Sequence, residues 1–597
     1  MSVKLSTYRE GRWAVETLLH GEFGAYPSKG ERYALSLTCT ALHIQRLVPK
    51  PEGEDQRTVV ALREVAGCQT LSIASDTPAA YFSIYAYPRK KRKVAMGSSR
   101  TRQRLVRTFQ VDGTVDYAQN QAVAERWAVA IKCLLLGVPI GSETEISPGL
   151  LPGPRRLLLL VNPQGGRGLA LQHCHAHILP MISDAGISFN LIQTERQNHA
   201  RELVQSLSLD EWNGIVIISG DGLLYEVING LIERPDWKEA IRKPIGILPC
   251  GSGNALAGAI NFSGGFEQAL ALELLLNCTL LLCHGGVEPM DLASITTCSG
   301  TRSFSFLSVA WGFISDVDIE SEKYRHMGSA RFTLGTAVRL ASLRTYRGRL
   351  SYLPATDGHR PISRSITLAA NGSLTNIQQH APLHRTISDM GLCEERNVVT
   401  KRNSPTSVTD TGELPSFEAS PSPALLDSDS FTFDTAPGAP PSDTRCTEFA
   451  NTRQMYGPPD DLLVPLDEPV PQDWVTLEGD FVLVLAVYQT HLGADLFVAP
   501  FTSFGEGLIH LFFVKAGISR AALIRLFLAM ERGSHFELEY PHFTHLPVRA
   551  FRLEPLTHKG ILTVDGERVE YGPIQGQIHR RMCNLITGTQ KVKVSNS

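Results

Sequence analysis

The chain has 597 residues, too many for a single hydrophobic core, so two to four domains are expected. Its 43% hydrophobic and 20% charged residues are the proportions of an ordinary soluble globular protein, and the net charge of −3 points to no particular partner. Eleven cysteines are scattered without a C-x-x-C pair, which argues against a zinc site or a disulfide framework and fits a reducing compartment. The opening MSVKLSTYREGRW has no apolar core of signal-peptide length. The most apolar window, residues 269–283, contains Glu273 and Asn277 and is too short to span a bilayer. A protein of this kind that acts on lipid must come to the membrane surface and leave again.

Residues 30–140 alternate like short strands, most clearly at 33–37 and 81–87. An amphipathic helix near 122–136 follows, turning Trp127, Ile131 and Leu134 toward a core. Strands closed by one tryptophan-bearing helix look like a pleckstrin-homology-type sandwich, and a generic small α+β domain fits the same pattern. Within this region Arg89-Lys90-Lys91-Arg92-Lys93 is a dense basic run, with Arg100, Arg102, Arg104 and Arg107 close behind. Such a run can be a nuclear-import signal, a patch for anionic lipid or a solvated hairpin tip.

Residues 141–154 hold Pro148, Pro152, Gly153 and Pro154 and read as a linker. A buried parallel-type strand, 157–161, then runs into Asn162-Pro163-Gln164-Gly165-Gly166-Arg167-Gly168. This glycine turn has neither Walker A nor dinucleotide-fingerprint spacing. Helix 170–185, strand 188–194 and helix 200–207 are expected next. The apolar run Ile215-Val216-Ile217-Ile218 breaks at Ser219-Gly220-Asp221-Gly222 and continues as an amphipathic helix. A strand at 244–249 leads to a third glycine turn, Cys250-Gly251-Ser252-Gly253-Asn254, which also opens a helix. Glycine lets the backbone approach a ligand, and a helix start offers unpaired N–H groups and a positive dipole end. Alternating strands and helices imply a parallel sheet with its ligand beyond the carboxyl ends of the strands. Three such turns in about ninety residues point to a phosphate-bearing ligand. Asp221 sits at the mouth, either as a general base or as an ordinary helix cap.

From residue 300 the pattern changes to alternating strands, such as 303–310 and 481–488, so a β-rich domain is expected. It is interrupted by residues 374–459, rich in Ser, Pro, Thr and Asp, which should be disordered. Ser404, Ser420 and Ser422 each precede proline and are candidates for proline-directed kinases, with an inert loop as the alternative.

Taken together, the turns at 160–168, 219–223 and 251–257, with Leu307–Tyr324 and Leu562–Glu567, resemble the sphingosine kinases, lipid kinases of the wider diacylglycerol-kinase class. The match covers most of 155–354 and 462–590, and the long N-terminal part and central insert look like the larger, type 2 form. The resemblance implies an N-terminal parallel-sheet nucleotide-binding domain (155–299) and a β-rich sandwich domain (300–373 and 460–590). The small α+β domain precedes them, and the active site lies in the interdomain cleft. Asp221 matches the general base, and ATP with Mg²⁺ is the implied cofactor. Asn162, Pro163 and Gln164, then Thr194, Glu195, Arg196, Gln197 and Asn198, fall on the family's nucleotide loops. Gly220, Gly222, Glu226, Gly251, Ser252 and Gly253 fall on nucleotide-contacting turns. Arg325 and Arg331 match phosphate-contacting arginines, or else pair with Glu320 or Glu322 at the surface. Asp565, Gly566 and Glu567 match a nucleotide-side element. Asp318 matches the residue that holds the substrate's amino-alcohol head, with a surface charge beside Asp316 and Glu320 as the plain alternative. Ser219, Gly220, Asp221, Gly222, Phe313 and Phe332 would complete the substrate side. Arg167 stands where related forms often carry lysine. Trp311, Phe313, Phe332 and Leu334, with Ile509, Leu511, Phe512, Ile518, Ile524, Leu526, Phe527 and Leu528, would form core or a sleeve for the lipid tail.

The implied substrates are sphingosine and dihydrosphingosine, the implied product sphingosine-1-phosphate. The implied location is cytoplasm and nucleus with peripheral contact to membranes, an import receptor reading Arg89–Lys93. A ceramide or diacylglycerol kinase is the nearest rival. A nuclear binding protein that works through its basic run is the rival from another class.

Overall fold

The computed structural model describes residues 16–28, 30–47, 57–73, 78–94, 97–327, 330–355, 454–538 and 540–588. Side chains at 91–94, 97–100, 325 and 326 lie outside the description, those of Lys91–Lys93 and Arg325 among them, as do the three Ser-Pro sites.

Seven antiparallel strands form the N-terminal sheet, in the spatial order 57–61, 41–46, 32–38, 17–26, 105–111, 80–86 and 65–71. Helix Tyr117–Leu135 packs on it and is capped by Asp116, whose side chain accepts from Ala118 N–H. The helix starts five residues before the expected 122 because Asp116 offers a cap that hydrophobic periodicity does not register. Trp127 packs edge-on against Phe23 and stacks on Phe82, so the core is aromatic as well as aliphatic.

The expected parallel sheet is present. Strands Ser188–Gln193, Arg156–Val161, Gly214–Ser219 and Ile245–Pro249 lie side by side in that order, all parallel. Strands 156–161, 214–219 and 245–249 are nearly continuous apolar runs because helices cover both faces, whereas Ser188–Gln193 alternates at the sheet edge. The helix expected at 170–185 forms, with a π turn at Cys174–Ile178. The apolar window at 269–283 becomes helix Ala271–His284, buried along most of its length. Among the described residues no helix is long and apolar enough to cross a membrane.

The β-rich half does not form a separate sheet. The C-terminal strand Ile574–Ile586 joins the parallel strands through the pair Ile245↔Leu585 and continues into strands 543–555, 346–354, 475–487 and 308–312. Strand Val287–Thr296 pairs with that same C-terminal strand, so the β-rich half begins before residue 300. Two cores lie on opposite faces of its strands. Ile509, Leu511 and Phe513 point into one, with Trp311, and Phe512 and Val514 into the other, with Phe313 and Ile518; along strand 509–515 the split follows the two-residue period.

The N-terminal sheet docks on the parallel-sheet half through polar groups from the basic region. Arg104 grips Asp184 with two 2.7 Å bonds, and Tyr87 donates to the same carboxylate at 2.7 Å. Arg89 pairs with Glu267 and Glu273. Burial and the bond to Asp184 push the Tyr87 phenol well above its usual range. Gly67 lies against the backbone there: an added β-carbon would sit 2.3 Å from Asp184 O and 2.8 Å from Ala185 Cα. Gly67→Ala therefore forces the two units apart, and we expect a loss of about 2 kcal/mol, measured by urea denaturation.

Candidate active site

The three glycine turns meet at the carboxyl edge of the parallel strands, backbone against backbone. A β-carbon on Gly251 would lie 2.4 Å from Gly220 Cα, and one on Gly166 would lie 2.5 Å from Cys250 O. Gly166 also has φ +59, a left-handed conformation that favours glycine. Cys250 N–H donates to Ser219 O at 2.9 Å, tying the third turn to the second. Asn162 N–H donates to Ile218 O, tying the first turn to the second strand's end. Within the first turn, Asn162 Oδ1 accepts from Gln164 N–H at 3.0 Å. Asn254, at φ 54, staples the third turn by accepting from Gly251 N–H and donating to Gly251 O. Its role went unread in the sequence, although an asparagine directly after G-S-G is a position suited to left-handed backbone.

Asp221 opens helix Asp221–Ile232, yet it does not cap that helix; Gly220 holds the cap position. Instead it caps the neighbouring helix. Its carboxylate accepts from Ala255 N–H at 2.8 Å and from Leu256 N–H at 3.3 Å, the first turn of helix Ala255–Ser263. Burial pushes its pKa up, and these N–H bonds pull against that rise. These N–H bonds orient the group, and a carboxylate's remaining lone pairs leave it able to take a proton.

Opposite lies a second acidic group. Asp318, on helix Phe313–Glu320, is raised to about 6, first by burial and then by Glu322, Glu567 and Asp221, while Arg331 pulls it down. Arg331 donates to Asp318 Oδ1 at 3.2 Å and to its carbonyl at 3.3 Å. Glu320 is taken by Arg339 and Arg344, so Arg331 is held by Asp318 and not by Glu320. The hairpin Leu562–Val564 and Glu567–Val569 closes over both acids. A β-carbon on Gly566 would lie 3.3 Å from Asp318 Oδ2, and one on Gly222 would lie 2.7 Å from Glu567 Oε1. Gly222, Asp318, Gly566 and Glu567 thus share one pocket mouth with Asp221.

Asp565 is not brought into this mouth. Its carboxylate is buried and accepts from Ser305 Oγ and from the N–H groups of Phe306, Leu307 and Ser308. Burial raises it to about 6 against those bonds. It fixes the connection between strands 302–305 and 308–312, a task that spacing along the chain does not reveal. Glu226 lies near the second loop: burial raises its pKa, the N–H groups of Asn198, Ala200 and Arg201 oppose the rise, and its Oε2 is buried without a hydrogen-bond partner among the described residues. Thr194 is buried and donates its N–H to Val161 O, while Glu195 N–H reaches His199 and Arg196 pairs with Glu202 at the surface. Arg167 reaches Met327 O at 3.3 Å from the first turn.

Phe313 is buried and stacks on Phe527 at 5.3 Å, with Phe332 packed against the same core as Phe512, Ile518 and Leu526. Trp311, Ile509 and Leu511 belong to the other core and leave the sleeve expected for a lipid tail. Alternation along strand 509–515 separates Ile509 and Leu511 from Phe512, and Trp311 parts from Phe313 because its strand ends at Gly312 and a helix begins.

Among the described residues no group of three or more His, Cys, Asp or Glu side chains is arranged to hold a metal. Magnesium commonly rides on nucleotide phosphates with only one or two carboxylates from the protein.

A strand-end cradle of backbone N–H groups facing oriented carboxylates defines a phosphotransferase, and a diacylglycerol kinase catalytic domain model matches residues 156–295. Sphingosine kinase 2 of Homo sapiens is 56% identical over 96% of this chain and 91% of its own length. Sphingosine kinase 1 of Homo sapiens is 44% identical over 74% of this chain and 93% of its own. The Arabidopsis thaliana sphingosine kinase 1 is 30% identical over 70% of this chain and 69% of its own. The chain belongs to the sphingosine kinase family, and as a kinase of this family it uses ATP.

Gly251→Ala drives a side chain into Gly220, so the turns must separate. We expect nucleotide affinity to fall at least about tenfold, read by titration calorimetry with ATP. Asp565→Asn puts an amide N–H against four donors, and we expect a stability loss of about 2–3 kcal/mol, read by denaturant unfolding.

Proposed function

We propose that the chain transfers the γ-phosphoryl group of ATP to the primary hydroxyl of sphingosine and related sphingoid bases such as dihydrosphingosine. The product is sphingosine-1-phosphate. The observation that carries this reading is one pocket mouth holding two differently used acids. Asp221 is clamped by two helix N–H groups beside the glycine turns. Asp318 faces it from the other half of the sheet.

The turns hold the nucleotide's phosphates by backbone N–H groups, and helix dipoles favour their charge. Asp221 takes the hydroxyl proton as the phosphoryl group arrives in line, a step typically worth about 10²–10⁴ in rate. Arg331, bonded to Asp318, also reaches a phosphate, its guanidinium keeping its charge in either setting. Asp318 meets the ammonium of the sphingoid head. Ceramide and diacylglycerol lack that cation, so a carboxylate here favours sphingoid bases over both. The apolar face around Phe313, Phe332 and Phe527 takes the tail. Mg²⁺ bound to the triphosphate would offset part of its charge. Cytoplasmic and nuclear residence with peripheral membrane contact, an import receptor acting on Arg89–Lys93, and proline-directed kinases on the insert belong to the same proposal.

Radiolabelled ATP, tested against sphingosine, dihydrosphingosine, ceramide and diacylglycerol side by side, decides the substrate class. Asp221→Asn should lower turnover of sphingosine at least about a hundredfold while ATP still binds; full activity would remove Asp221 from its role. Asp318 is neutral below its pKa of about 6, and only its charged form pairs with an ammonium. The KM for sphingosine should therefore rise as pH falls through about 6, and Asp318→Ala should flatten that rise.

A further inference from the structure

We propose that Arg102, in the N-terminal sheet unit, is a positioning residue for Asp221, acting through the helix Ala255–Ser263. The inference rests on Asp221 as the base and concerns what holds it in place.

Arg102 is 4% exposed, on a hairpin strand that leaves the N-terminal sheet and meets helix Ala271–His284. Its Nε donates to Asn277 Oδ1 at 2.6 Å. Asn277 Nδ2 donates to Asn261 Oδ1 at 2.8 Å, and Asn261 Nδ2 donates to Glu267 O at 2.8 Å. Both asparagines are buried. Asn261 sits near the last turn of helix Ala255–Ser263, whose first turn gives its N–H groups to Asp221. One short helix is thus held at its start by the base and near its end by a relay that begins in another unit.

The relay is an expensive way to tie down a helix. A guanidinium is buried here with neutral partners: Asn277, Tyr87 O at 2.8 Å and the face of Phe266 at 4.7 Å. Burial lowers its pKa to about 10. Simple docking of the two units is already served by Arg104 with Asp184 and by Arg89 with Glu273. What Arg102 adds is a directional contact on the asparagine pair. Because interiors are close-packed, a shift of Asn261 is passed along the helix to Ala255 and Leu256.

The test follows Arg102→Gln and Asn277→Ala in the full chain, with Arg102→Lys as the conservative variant that keeps the charge and one donor line. Hydrogen–deuterium exchange over residues 252–262 is the readout that needs no substrate. We expect the Ala255 and Leu256 amides to exchange about tenfold faster in Arg102→Gln and Asn277→Ala, and less so in Arg102→Lys. Unchanged exchange in folded variants overturns the proposal. The pH profile of kcat/KM for sphingosine is the second readout. Asp318, Glu567 and Arg331 face Asp221 across the mouth and are untouched by these variants. Looser N–H bonds stabilise the carboxylate less, so the acid limb should move to higher pH. A fall in activity with the limb unmoved marks a general loss of packing and also overturns the proposal. If wild type fails to phosphorylate sphingosine, the substrate reading falls, while the exchange result still decides this one.

Discussion

The structure depends on one close approach: the backbones of three glycine turns lying against each other at the end of a parallel sheet. Gly220 and Gly251 leave no room for a β-carbon between them, and Gly166 rests on Cys250 O. Only with the turns this close can N–H groups from separate helix starts converge on one ligand. The same closeness lets Asp221, which starts one helix, reach the N–H groups that start the next. The Asp221 carboxylate is then fixed by the same closeness that brings the turns together. Its orientation needs no separate scaffold.

The opposite wall follows from the way the chain returns. After the parallel strands, the β-rich half adds to the same sheet through its last strand and sends a hairpin back over the second turn. That hairpin puts Glu567 beside Gly222 and Gly566 beside Asp318. Three carboxylates in one mouth repel each other, which is part of why Asp318 is raised; Arg331 limits the effect. Clustered carboxylates of this kind are costly to each other and favour a cation among them.

Much of this was legible along the chain because it is local. Apolar runs ending in glycine specify strand, turn and helix start, and each expected parallel strand formed within a residue or two of its place. What was not legible is long-range. The use of Asp565 on residues 305–308 joins positions far apart in sequence and cannot be seen from either stretch. The division of Trp311 from Phe313 depends on the chain turning at Gly312, φ 82, from strand to helix. The basic run reads as solvated or signal-like by composition, yet Arg89, Arg102 and Arg104 are spent on the neighbouring half. Charge density shows that a segment is basic and is silent on whom it meets.

The seam between the halves of the large sheet has a mechanical meaning. Parallel neighbours such as 156–161 and 214–219 share a ladder of registered pairs, whereas Ile245–Pro249 meets the C-terminal strand at Ile245↔Leu585. Sliding or bending within either half must break a row of bonds at once; at the seam few stand in the way. The walls of the mouth sit on opposite sides of that weak line. Opening to admit a long-chain substrate and shutting for phosphoryl transfer therefore cost least as a flexing of one continuous sheet, with neither half having to unfold.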